Sequence, residues 1–137
     1  MYSVDNKAGR LIEVRLASPL PAGEVDACIA RIQGIVTQNR HGAVVCIELL
    51  QVDVLAPESA EKFLEMMRVQ NATVHRTAYL LPVTNAILGL QVERLIRDAH
   101  NSSRKAFRDT TSLEAWLVPV MTMVEAQQLR KFLSQLA

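Results

Sequence analysis

Apolar positions along this chain change period at regular intervals, from alternation or short continuous runs to spacings of three and four. Each change predicts a strand handing over to a helix. Leu11 to Leu16 alternates weakly and reads as a strand, closed by Ser18-Pro19-Leu20-Pro21, whose prolines cannot donate to a central ladder. Val25, Cys28, Ile29, Ile32, Ile35 and Val36 then form the stripe of an amphipathic helix that stops near Asn39. Ala43 to Leu50 is almost continuously apolar, as in a strand covered on both faces. Ala56-Pro57-Glu58 starts a second helix, since proline suits the first helical position and an acid suits the dipole there. Its apolar side is Ala60, Phe63, Leu64 and Met67.

The same alternation continues to the end. Val74 to Leu81 predicts a third strand, and a third helix runs from about Thr84 to His100 with Ile87, Leu88, Val92, Leu95, Ile96 and Ala99 inward. After the polar turn Asn101-Ser102-Ser103, a fourth strand spans Arg104 to Arg108, and Thr111 with Glu114 has capping-box spacing for a fourth helix. Thr122 and Glu125 repeat that spacing beyond Pro119, where Leu129, Phe132, Leu133 and Leu136 mark one face of a fifth helix. Strand–helix alternation predicts an α/β domain with a small, mostly parallel sheet of four to five strands flanked by helices. Strand order stays open, and the first strand is the candidate for an antiparallel edge. The organisation expected is one domain over residues 10–118 and an amphipathic helical extension over 119–137.

Composition narrows the classes of function. The 137 residues include one Trp, two Tyr and three Phe, so the core is aliphatic. Fifteen basic residues against fourteen acidic ones leave no global field to attract nucleic acid or an anionic membrane. Cys28 and Cys46 stand in apolar surroundings without motif spacing, which predicts buried thiols in a reducing compartment. No stretch approaches the roughly 18 apolar residues of a membrane span, and the amino terminus lacks a secretion signal's apolar run. A cytoplasmic protein is expected.

Two blocks carry a likeness to known proteins: Phe107-Arg108-Asp109 followed by Leu113-Glu114-Ala115-Trp116-Leu117, and the strand Arg76-Thr77-Ala78-Tyr79-Leu80-Leu81. With the order of hydrophobic blocks, they make the region from about Arg10 to Leu117 resemble the SpoIIAA-like family, relatives of the STAS domains of anti-sigma-factor antagonists and anion-transporter tails. The resemblance implies a regulatory or scaffold role exerted by binding another protein, not catalysis. In the antagonists, the loop after the apolar strand carries a phosphorylatable serine in an Asp-Ser-Ser/Thr-Gly setting. The matching stretch here, Gln51 to Ser59, lacks that core, and Ser59 is its only hydroxyl. Ser59 is therefore the candidate phosphoacceptor, with Asp53, Glu58 and Ser59 the candidate partner-binding loop.

Chemistry beyond the resemblance is sparse. His41, His75 and His100 form no metal-ligand spacing, and the five glycines are isolated, against a phosphate-binding loop. No cofactor or metal is expected. Asp53 and Glu58 are the only loop acids placed to act as a catalytic pair, which defines an enzyme alternative. Arg94, Arg97 and Arg104 form a candidate anion patch. Leu129, Phe132, Leu133 and Leu136 serve either the chain's own core or a homodimer. A further alternative is a carrier for a small apolar ligand or lipid, using the adaptable Met66, Met67, Met121 and Met123.

Overall fold

The computed structural model describes residues 1–39 and 41–136. Its elements are β1 (Tyr2–Ala8), β2 (Leu11–Ala17), α1 (Ala22–Gln38), β3 (Ala43–Gln51), α2 (Pro57–Gln70), β4 (Val74–Leu80), α3 (Ala86–Asp98), β5 (Arg104–Phe107), α4 (Thr110–Leu117) and α5 (Met123–Ser134), with a 3-10 turn at Val118–Val120. The strands lie in sequence order, β1-β2-β3-β4-β5. Strands β2 to β5 are parallel, and β1 is antiparallel to β2.

The α/β class and the mostly parallel sheet agree with the sequence pattern, and β1 is an addition to it. Tyr-Ser-Val-Asp-Asn-Lys-Ala is too polar to announce a strand. It is an edge strand, paired on one side only, where charged residues are the norm. The antiparallel edge expected for the strand at Leu11 thus belongs to Tyr2–Ala8, while β2 pairs in parallel with β3. The two-residue turn Gly9-Arg10 is held by Asn6 Nδ2, which donates to the carbonyls of Gly9 (2.9 Å) and Leu11 (2.7 Å).

Successive crossovers of one hand, each stepping to the next strand, put their helices on one side of a sheet. Helices α1, α2 and α3 accordingly share one face, packing Val25, Ile32, Phe63, Met67, Leu88 and Val92 against Ile12, Val14, Val45, Ile47 and Tyr79. Helices α4 and α5 cover the other, where Leu113, Leu117, Leu129, Phe132 and Leu133 meet Leu11, Val44, Cys46, Ala78 and Leu80.

Two helix starts test the capping arguments. Thr122 and Glu125 form the expected reciprocal box at α5. Helix α4 is capped instead by Asp109, whose carboxylate accepts from the Ser112 N–H at 2.7 Å, so Thr111 has no capping role. Hydrogen bonding from the Ser112 backbone, and from its side chain, holds the Asp109 carboxyl below the usual range.

Candidate interaction site at the carboxyl ends of the strands

Strand β3 runs out at Gln51 into the segment Val52 to Ala56, and Pro57 opens α2. Val52 and Leu55 are buried and pin this loop to the core, leaving Asp53 and Val54 outside. Side chains from elsewhere then bind its backbone. The Asp53 N–H donates to Ser18 Oγ at 3.0 Å. Asn85 Nδ2 donates to the carbonyls of Val52 (3.3 Å) and Asp53 (2.5 Å), while its Oδ1 caps α3 by accepting from the Leu88 N–H. Gln91 clamps Leu55 from both sides: its amide oxygen accepts from the Leu55 N–H and its nitrogen donates to the Leu55 carbonyl, both at 2.9 Å. The loop is thereby built as one rigid surface with the first two turns of α3.

That surface is apolar where it meets water. Val83 is 75 % exposed, Ile87 65 % and Leu90 69 %, and Val54 stands out from the tethered loop beside them. Ile87 and Leu90, three residues apart, share the outer side of α3, and Val83 stands in the turn just before it. Ile87 therefore faces solvent and not the core: its neighbours Leu88 and Val92 already fill the inward positions.

The other sequence candidates separate. Asp53 and Glu58 are exposed, and among the described residues neither carboxylate makes a hydrogen bond or ion pair. Ser59 lies in the first turn of α2 at 6 % exposure, turned into the protein, so a phosphate has no room there unless the helix opens. Arg94 and Arg97 stay on the surface, both leaning on Asp98 at 3.7 and 3.5 Å. Arg104 leaves that patch altogether. Only 5 % exposed, it donates to the Met67 carbonyl at 2.8 Å, to Asn71 Oδ1 at 3.4 Å, and to Thr77 Oγ1 and Tyr79 OH at 3.3 Å. The guanidinium thus caps the carboxyl end of α2, where carbonyls and the helix dipole favour a cation. Burial raises the Tyr79 hydroxyl's pKa, and Arg104 draws it partly back.

Leu129, Phe132 and Leu133 are buried on the chain's own sheet, with Leu136 half-buried at the rim, so that face is not open to a second copy. A cavity lined by Phe63, Met66, Met67, Tyr79 and Leu95 measures about 30 Å³, room for roughly one water and not for a lipid. Met123 stands outside it on the surface. Both cysteines are buried. Burial pushes the Cys28 thiol up to about 11, and burial with the neighbouring Glu13 and Glu48 pushes Cys46 higher still. Among the described residues no group of three metal-ligating side chains comes together, and no helix is long and apolar enough to cross a membrane.

Among solved structures, the anti-sigma factor antagonist SpoIIAA in its unphosphorylated form superposes on 89 % of this chain and 99 % of its own, with a TM-score of 0.57. The fold is SpoIIAA-like. Sequence identity over that SpoIIAA match is 16 %, so the likeness is one of fold. No family model matches the chain, and no curated protein matches it.

Asn85 is legible in hindsight as an N-cap residue just before an apolar helix. Gln91 carries no such signal, because its bond to Leu55 spans 36 residues of sequence.

Proposed function

We propose that this protein is a non-enzymatic, cytoplasmic regulatory module that captures another protein on the surface formed by the tethered loop Val52–Ala56 and the outer side of α3. The observation that carries this reading is the set of apolar side chains Val54, Val83, Ile87 and Leu90, left in water on a backbone that three side-chain tethers hold rigid. A rigid surface loses little entropy when a partner docks, and exposed apolar anchors supply the gain. The SpoIIAA-like fold supports the same reading, since the protein it resembles is named for antagonism of an anti-sigma factor. Asp53 and Glu58 flank the apolar patch as rim charges. Ser59 has no part in the proposal as a phosphoacceptor, because it is buried.

The test is a photo-crosslinking side chain placed at Ile87 in the native host, with Val69, an equally exposed residue near the far end of α2, as control. A single defined adduct from position 87, absent from position 69 and reproduced with the purified partner, is expected. No adduct, or the same adducts from both positions, contradicts the assignment.

A further inference from the structure

An open groove of about 400 Å³ lies at the carboxyl ends of β2 and β3, on the face covered by α4 and α5 and just past the end of α5. Its volume is in the range, about 300–1,000 Å³, that holds small organic ligands. The floor is formed by Ser3, Arg15, Ala17, Glu48 and Leu50, and Leu136 stands at one wall. Most of the lining is apolar; it also includes Gln51, Gln135 and Met1, whose ammonium is engaged by the Ala17 and Pro19 carbonyls and by Glu24, which leaves the Arg15–Glu48 contact at the base of the groove.

That contact is unusual in being fixed from behind yet unfinished in front. The Arg15 guanidinium lies over the Phe132 ring at 4.6 Å, and its Nη2 donates to the Phe132 carbonyl at 3.2 Å. Glu48 Oε2 accepts from the Leu50 N–H at 2.9 Å. The facing atoms, Arg15 Nη1 and Glu48 Oε1, are 3.9 Å apart, too far for a hydrogen bond. Among the described residues, neither atom has another hydrogen-bond partner. The Glu48 side chain is 7 % exposed, and it lines the groove, where its free oxygen is available to a ligand.

A donor and an acceptor held side by side select a ligand by its edge. An anion gains from Arg15 and is repelled by Glu48, and a cation meets the reverse. A neutral edge with an N–H beside a C=O satisfies both. We infer that the groove binds a small neutral molecule with an apolar body and an amide-type edge, such as a carboxamide, a lactam or an N–H/C=O heterocycle. Its N–H donates to Glu48 Oε1, and its C=O accepts from Arg15 Nη1. The inference does not depend on the docking surface.

Three probes with one body and different heads test it: 2-naphthamide, 2-naphthoate and 2-naphthylmethylamine, each titrated into the full chain and followed by backbone amide NMR shifts. The amide should give saturating shifts at Ser3, Leu50, Gln51 and Leu136, and should bind at least about fivefold tighter than either charged probe. Glu48→Gln sharpens the test. The Leu50 N–H would keep the new amide oxygen, turning its NH2 toward the gap, so two donors would face the ligand and the preference should pass to naphthoate. Absence of saturating shifts at those residues, or a preference that Glu48→Gln leaves unchanged, overturns the inference. Should that variant not fold, Ser3→Trp fills the groove from β1, and naphthamide binding that survives it overturns the inference equally.

Discussion

The two faces of the sheet are built on different principles. Under α1, α2 and α3 the central strands β2 and β3 present Ile12, Val14, Val45 and Ile47, and the buried polar contacts of Arg104 with Thr77, Tyr79 and the Met67 carbonyl lie aside at β4 and β5. Under α4 and α5 the same strands present Glu13, Arg15 and Glu48 between Leu11, Val44 and Cys46. Glu13 is 2 % exposed. Its Oε1 accepts from Gln128 of α5 at 2.9 Å, and among the described residues its Oε2 has no partner. Over β2 and β3, one cover is held by burying hydrocarbon, and the other also by individually placed polar bonds. The lesson is that charged residues at alternate strand positions do not always mark a solvent face: here a late helix has closed over Glu13 and packed against Arg15.

The sharpest way to break this comparison is to remove equal hydrocarbon from each side. Ile32→Ala and Leu129→Ala both empty fully buried sites and should each cost about 2–5 kcal/mol. They should differ in how the loss spreads. Hydrogen exchange in Ile32→Ala should accelerate across the sheet together, whereas Leu129→Ala should release the amides of α5 first. Uniform exchange in both variants would mean that the two covers are equally integral.

A smaller effect comes from the lock at the start of α5. Glu125 Oε2 accepts from the Arg10 N–H at 2.6 Å, and Oε1 accepts from Arg10 Nη2 at 3.1 Å and the Thr122 N–H at 2.8 Å. Gly9, at φ +50°, leaves space for this carboxylate that a Cβ would occupy. Burial alone would raise the Glu125 carboxyl, but the bonds from Arg10 and Thr122 outweigh it and hold it below the ordinary range. With the folded value below the unfolded one, the stabilisation is complete above the ordinary glutamate range and is lost as pH falls through the lowered folded value. Glu125→Ala should cost about 1–3 kcal/mol at neutral pH by orphaning those donors. It should also flatten the acid limb of a melting-temperature profile, and an unchanged limb would remove Glu125 from the account.

The smallest effect has the opposite sign. Glu13→Gln keeps an acceptor for Gln128 and removes a desolvated charge, so it should raise stability by about 1 kcal/mol in urea titration. A loss of stability would show that the orphan oxygen is satisfied in solution.

These particulars also show how far the chain could be read in advance. The crossover helices were legible because each has one wet face and one dry face, and the α5 capping box because both partners are local. Strand β1 was hidden by its polar edge composition. The inward turn of Ser59 and the recruitment of Arg104 to the end of α2 were hidden for another reason: both depend on contacts between segments distant in sequence. The position of the candidate loop could be read, but the tethers from Ser18, Asn85 and Gln91 that make it a surface could not.

The most direct test of that surface is calorimetric titration of the crosslinked partner against Leu90→Asp, with Val69→Asp as control and melting temperatures measured for both. The account predicts at least about tenfold weaker binding for Leu90→Asp, unchanged binding for Val69→Asp, and near-native stability in each, since both side chains are already in water. Full affinity in Leu90→Asp would contradict it.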